Sequence, residues 1–251
     1  FKHIIKRIEG IFDSFELFYL NKKTKKYESR DLDIYNAEFK EEEGIALRGI
    51  KDKKSVFSYT FDLNDKGINK LVSHCKELLP FVDEDDDYTF PNVFNDYPFL
   101  DVYDIDGINL DDGTKKELVI ELENSIKNFD KRIVAVRGCE LHEEEIEICL
   151  INSKGINKGA KKTIYAITGM AVAKDKDEVS WYDWEWSYFL KDLDTKALGA
   201  NIAERAISFL GSTQIQTGIY DGILKPQAVC DLLGILSSSF LGENLFKNKT
   251  K

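Results

Sequence analysis

The segment from Phe15 to Phe61, FELFYLNKKTKKYESRDLDIYNAEFKEEEGIALRGIKDKKSVFSYTF, decides the fold class. Apolar residues recur in short alternating runs: Phe15, Leu17 and Tyr19; Leu32, Ile34 and Tyr35; Ile45 and Leu47; Val56, Phe57, Tyr59 and Phe61. A period near two is what a half-buried strand requires, because successive side chains leave it on opposite sides. Polar stretches at Asn21 to Lys26 and Lys51 to Lys54 separate the runs and read as turns. Three or four antiparallel strands are expected.

Beyond this segment the period changes. Ile68, Leu71, Val72, Cys75, Leu78 and Leu79 follow helical spacing, with Asn64 or Asp65 as the cap and Pro80 as the stop. This helix is expected to cover one face of the sheet. Residues 80–113 hold three of the four prolines and the acidic run Asp83 to Asp87, the composition of a long surface connection between two similar halves. A second helix is expected from a capping box at Thr114-Lys115-Lys116-Glu117, with Leu118, Leu122, Ile126 and Phe129 along its stripe. Strands return at Ile133 to Val136, Glu145 to Asn152, Lys162 to Val172 and Val179 to Phe189. Asp194 or Thr195 caps a third helix that buries Leu198, Ile202, Ala206 and Leu210. This order predicts an α+β fold, an antiparallel sheet with helices packed on it, over residues 1–211. Thr213 to Leu224 then reads as a strand entering a second, mostly β domain at 212–251, and Pro226 suits the first position of a helix carrying Val229, Leu232, Leu233, Leu236 and Phe240.

Composition narrows the function. The 45 acidic and 35 basic residues leave a net charge of −10, a field that repels phosphate backbones and anionic lipid, so neither nucleic acid nor membrane is an expected partner. No apolar run approaches a membrane span, and no signal-peptide core follows Phe1-Lys2-His3, so a cytoplasmic location is expected. Cys75, Cys139, Cys149 and Cys230 lie far apart, which reads as free thiols rather than a disulfide framework or a zinc knuckle. The chain starts without methionine and ends in Lys247-Asn248-Lys249-Thr250-Lys251 just after an apolar helical stretch, so a piece of a longer protein is expected.

The chemical motifs mostly fail on spacing. Asp104-Ile105-Asp106-Gly107 has the look of a calcium loop, but the first ligand position would be Val102 and the closing glutamate Gly113. His142 stands beside Glu143, yet a zinc peptidase helix needs two histidines flanking the glutamate, and the remaining histidines are His3 and His74. No nucleophile elbow, P-loop or dinucleotide fingerprint occurs. Between Val179 and Phe189 the alternation sets Tyr182, Trp184, Trp186 and Tyr188 on one side of a strand. Such a ladder either lines a peptide groove or packs a sheet against a helix.

Three ordered segments resemble the TldD/PmbA family, once called modulators of DNA gyrase. They are Glu41-Glu42-Glu43-Gly44-Ile45-Ala46-Leu47-Arg48 followed by Ser55 to Thr60, then Ile151-Asn152-Ser153-Lys154-Gly155, then the Asp192-Leu193-Asp194 helix leading to Gln216-Thr217-Gly218-Ile219-Tyr220. The resemblance implies a metallopeptidase-related protein whose second domain is cut short. Active TldD-like members carry HExxxH on the first helix of the C-terminal domain, two zinc ligands and a catalytic glutamate. Laid on this chain, the motif puts Gly234 at the first histidine, Ile235 at the glutamate and Ser239 at the second histidine. That pattern resembles the PmbA-like (TldE) subunit, which lacks the zinc site and pairs with a zinc-bearing TldD-like subunit, or with itself. Such assemblies mature peptide precursors and degrade unfolded peptides. No catalytic residue, metal or cofactor is then expected in this chain. The other reading, from the acidic surface alone, is a freestanding binding module that catalyses nothing.

Overall fold

The computed structural model describes residues 1–94 and 96–246. Unit one, Phe1–Gly211, is built on one antiparallel sheet of order β3-β2-β1-β4-β5-β6. Its strands are β1 (Ser14–Arg30), β2 (Asp33–Lys51), β3 (Lys54–Thr60), β4 (Ile133–Asn152), β5 (Asn157–Lys174) and β6 (Glu178–Ser187). The fold is α+β, as the alternation implied.

The two-residue hairpin turns carry no glycine. Asp31 and Leu32 between β1 and β2, and Asp52 and Lys53 between β2 and β3, all have positive φ, from 49° to 63°. Paired positive φ is the signature of the type I′ turn, whose twist suits the flanking strands.

The strands are longer than the apolar alternation suggested. Asn21 to Lys26 is not a turn; it is the middle of β1. Likewise Ile133 to Val136 and Glu145 to Asn152 belong to one strand, β4, bulged near Ile133 to Ala135 and Arg137 to Glu140. The physical reason is cross-strand charge. Lys22 lies 2.5 Å from Glu144, Lys26 3.0 Å from Glu140, and Lys23 3.8 Å from Glu145. Opposite charges facing across a ladder contribute about 0.2–1 kcal/mol per pair, enough to extend a strand through a polar run when the backbone ladder is made anyway.

Seven helices occur among the described residues: α1 (Lys2–Ile8), α2 (Asp65–Leu78), α3 (Ile105–Asn109), α4 (Asp112–Lys127), α5 (Thr195–Ser208), α6 (Pro226–Ser237) and α7 (Gly242–Phe246). Those of unit one that pack on the sheet lie on one face, over two separate cores. Under α1 and α2, Ile4, Ile8, Leu17, Ile45, Leu47, Val56, Ile68, Leu71 and Cys75 cluster. Under α4 and α5, Tyr27, Leu122, Ile126, Leu141, Tyr165, Ile167, Ile202 and Ala206 form the other cluster. Between the two lies the charged middle of the strands.

Asn64 and Asp194 cap α2 and α5 as read from sequence, accepting from Gly67 N and Ala197 N at 2.9 Å each. The start of α4 differs. Asp111, not Thr114, is the cap, because its carboxylate accepts from both the N–H and the hydroxyl of Thr114, at 3.0 and 2.7 Å. The buried stripe of α4 shifts accordingly to Lys115, Val119, Leu122, Glu123 and Ile126, and Phe129 is exposed. The long connection after α2 is anchored rather than loose: Arg48 donates to Tyr88 Oη, Asn152 Nδ2 to Pro91 O, and Thr163 N to Val102 O.

A second unit begins at Ser212. Thr213 to Leu224, expected as a strand, is irregular, and the described regular elements here are helices. An extended segment becomes a strand only when a neighbour takes its backbone hydrogen bonds, and no described strand lies beside it. Pro226 does open α6.

Candidate functional site

Alternation divides each strand of the sheet between a covered and an open face. On β5, Tyr165, Ile167 and Ala171 enter the core beneath α4 and α5, and a Cβ on Gly169 would touch Ile126, Leu122 and Ile202. Ala166, Thr168 and Met170 therefore face the helix-free side. On β6 the odd residues meet the helices: Trp181 stacks on Phe209 with ring centroids 5.2 Å apart, and Asp183 accepts from Asn201. Tyr182, Trp184 and Trp186 point the other way and remain 54%, 51% and 49% exposed. The ladder singled out in the sequence thus does not pack the sheet against a helix. Tyr188, just past the strand end, touches Trp186 edge-on at 5.4 Å.

The strand register turns these faces into rows. Trp184 pairs with Thr168, which pairs with Glu140; Trp186 pairs with Ala166, which pairs with His142; Tyr182 pairs with Met170. Between the aromatic row of β6 and the ionic row of β4 runs a floor of smaller side chains. Glu140 is held by His142 Nε2 at 2.9 Å and Lys26 Nζ at 3.0 Å. Burial works against its ionisation, yet these two partners prevail and keep the carboxyl below its usual range. His142 is therefore a neighbour of a carboxylate on an open sheet face, with no second histidine near it in the strand.

A second aromatic series, Phe57, Tyr59 and Phe61, lies on the same open face at the opposite edge, with ring centroids 6.3 and 5.7 Å apart. Gly44 makes room for it, since a Cβ there would come within 3.0 Å of the Phe61 ring. The sequence marked these residues as a strand without distinguishing their outward side.

The remaining candidates settle into structural roles. Asp104 caps α3, accepting from Gly107 N, and its second oxygen accepts from Leu190 N at 2.8 Å, which ties the linker to the approach to α5. Lys115 and Glu143, both buried, form an ion pair at 2.5 Å that nothing in the sequence signalled. Burial pushes the Cys75 thiol up to about 11 and the Cys139 thiol up to about 12, so neither is a nucleophile at neutral pH. Gly234 and Ile235 sit on α6, and Ser239 lies in the 3-10 turn that follows it. A hydrogen, a hydrocarbon and a hydroxyl do not make the donor set that zinc takes from two histidines. No group of three or more His, Cys, Asp or Glu side chains suited to a metal occurs among the described residues.

Residues 15–78 match the PmbA/TldA metallopeptidase domain 1, and residues 105–210 match the central domain of the same metallopeptidases. The chain belongs to the PmbA/TldD family. Most of each core described above lies in one of the two matched stretches. A metalloprotease PmbA homolog from Buchnera aphidicola is 27% identical over 225 residues, 86% of this chain and 49% of its own length. The chain thus spans about half of that curated relative. Among solved structures, a candidate modulator of DNA gyrase from Bacteroides thetaiotaomicron superposes with TM-score 0.86 at 21% identity, covering 97% of this chain and 58% of its own. TldE from Thermococcus kodakarensis gives 0.69 at 14% identity, covering 82% and 47%. These likenesses are of fold. No described helix is long and apolar enough to cross a membrane.

Proposed function

We propose that this PmbA/TldD-family chain is a PmbA/TldE-like part of a TldD/TldE-type metallopeptidase assembly that matures peptide precursors and degrades unfolded peptides, and that it performs no zinc chemistry itself. The observation that supports this is the composition of α6 and the turn after it: Gly234, Ile235 and Ser239 occupy the positions that the family resemblance assigns to the HExxxH motif. Water becomes a nucleophile at neutral pH only when a metal lowers its pKa and a base takes its proton. None of these three side chains supplies either. In this reading the chain contributes peptide-holding surface and an interface, to a zinc-bearing TldD-like partner or to its own copy.

The test uses the intact native protein. After dialysis it should retain substoichiometric zinc and show no turnover of an unfolded peptide with zinc added, and turnover should appear when a zinc-bearing TldD-like homologue is supplied. Stoichiometric zinc together with turnover by the protein alone would overturn the proposal, as would failure to bind the zinc-bearing homologue or itself.

A further inference from the structure

The buried acidic side chains of unit one are matched with partners, with one exception. Glu16 faces Arg48, Glu143 faces Lys115, and Asp104 accepts from the N–H groups of Gly107 and Leu190. Glu123, on α4, is buried as deeply as Glu143, at 3% exposed, yet its carboxylate meets no hydrogen-bond donor and no cation among the described residues. A carboxylate taken out of water without a partner either gives up its charge or acquires a counter-charge.

Glu123 forms part of the wall of a cavity of about 170 Å³, together with Asp31 of the β1–β2 turn, Lys127 of the last turn of α4, and Ile133 to Val136 of β4. The pairing of β1 with β4 stops at Ser29 and Cys139. Residues 133–136 therefore have a neighbouring strand on the β5 side alone, and their register slips between Ile133 and Ala135. Alternate residues of an antiparallel strand send N–H and C=O to the same side. Part of this stretch thus turns main-chain carbonyls away from β5, toward the end of β1, where no described strand takes them.

Lys127 stands four residues after Glu123, the spacing of a helical ion pair. No such pair joins them among the described residues, and Lys127 is exposed at the helix end, where the last carbonyls attract an ammonium. Two carboxylates and one ammonium leave the walls with a single negative charge in excess. The cavity is smaller than the roughly 300 Å³ or more of a site for an organic ligand, and suits an ion with a few waters. A divalent cation asks for more acidic oxygens than stand here, and Lys127 opposes a double charge. One positive charge balances the wall.

We propose that this cavity binds a monovalent alkali cation, held by the carboxylates of Glu123 and Asp31 and by main-chain carbonyls of residues 133–136. The ion ties the β1–β2 turn, α4 and the start of β4 together where the β1–β4 ladder has ended. This goes beyond the proposed function and does not depend on it.

The experiment follows denaturant unfolding of the whole chain in potassium, sodium or choline chloride at equal concentration, so that general screening of the net charge of −10 is common to all three. At 100 mM, the better of the two alkali ions should lower the unfolding constant about fivefold to tenfold relative to choline, as expected for a site half filled near 10–20 mM, and the effect should saturate. Glu123→Gln should abolish this difference while remaining at least as stable as the parent in choline, since it removes the buried charge. Lys127→Met should keep the difference or enlarge it. Thallium(I), a stand-in for potassium, should give an anomalous peak beside Glu123 in crystals of the protein. Equal unfolding in the three salts, an alkali effect that survives in Glu123→Gln, or an effect lost in Lys127→Met would overturn the proposal, the last by making Lys127 the partner of Glu123.

Discussion

An ammonium taken out of water and left without a partner costs several kcal/mol, and Lys115 is fully buried beneath the first turns of α4. Its Nζ lies 2.5 Å from Glu143 Oε2 and 3.3 Å from the carbonyl of Ile108. Burial pushes the Glu143 carboxyl above its ordinary range against the pull of Lys115, so the pair sits where ionisation is penalised. Such pairs are worth little relative to a well-packed apolar replacement, yet breaking one leaves an uncompensated charge. Glu143→Leu alone and Lys115→Met alone should each destabilise by about 3–5 kcal/mol, while Lys115→Met with Glu143→Leu should fall within about 1 kcal/mol of the parent or above it. Denaturant unfolding of the four proteins measures the coupling, and additive losses in the double variant would show that the two side chains act independently. This residue-level feature was invisible in the sequence, where Thr114-Lys115-Lys116-Glu117 has the polarity of an exposed helix start. Lys115 lies on the same stripe of α4 as Val119, Leu122 and Ile126, and so faces inward.

At the scale of elements, the I′ turns use residues poorly suited to them. A side chain held in the left-handed region costs about 1–2 kcal/mol, and Lys53 has φ 62°. Its side chain pairs with Asp86, at 2.6 Å and well exposed, a contact worth about 0–1 kcal/mol. Lys53→Gly should therefore raise stability by about 0.5–1 kcal/mol, after glycine's greater freedom in the unfolded chain is subtracted. Lys53→Val should lower it. The midpoint of denaturant unfolding should move in these directions with its slope unchanged. The turn at Lys51 to Lys54 was legible because it is polar and lies between two apolar alternations. By the same reasoning Asn21 to Lys26 looked like a turn, and that reading failed. Its lysines face glutamates contributed by β4, more than a hundred residues away, and periodicity within one segment carries no information about a distant ladder. Helix positions and the aromatic alternation of β6 were readable because they depend on local spacing. Which side of β6 meets α5 was not, because it depends on where Asn201 and Phe209 arrive.

Across unit one, two apolar cores share a single sheet, and neither owns its strands. β1 supplies Leu17 to the core beneath α1 and α2 and Tyr27 to the core beneath α4 and α5. Although the family's first and central domains match separate stretches of sequence, the ladder from β3 to β6 is unbroken. Melting one core would strip β1 of the buried contacts at one of its ends and expose the β1–β4 pairing that the other core packs against. Coupling of this kind makes unfolding all-or-none. Leu47→Ala in one core and Ile202→Ala in the other should each cost about 2–5 kcal/mol, and each should lower the same single transition of the Phe1–Gly211 unit. Tryptophan emission, which reports on β6 because Trp181, Trp184 and Trp186 all lie there, and circular dichroism of the whole unit should follow one curve. If Leu47→Ala lowers the circular-dichroism midpoint and leaves the tryptophan curve in place, the charged middle of the sheet is a seam between two independent folding units, and the ion pairs across it do not transmit stability from one core to the other.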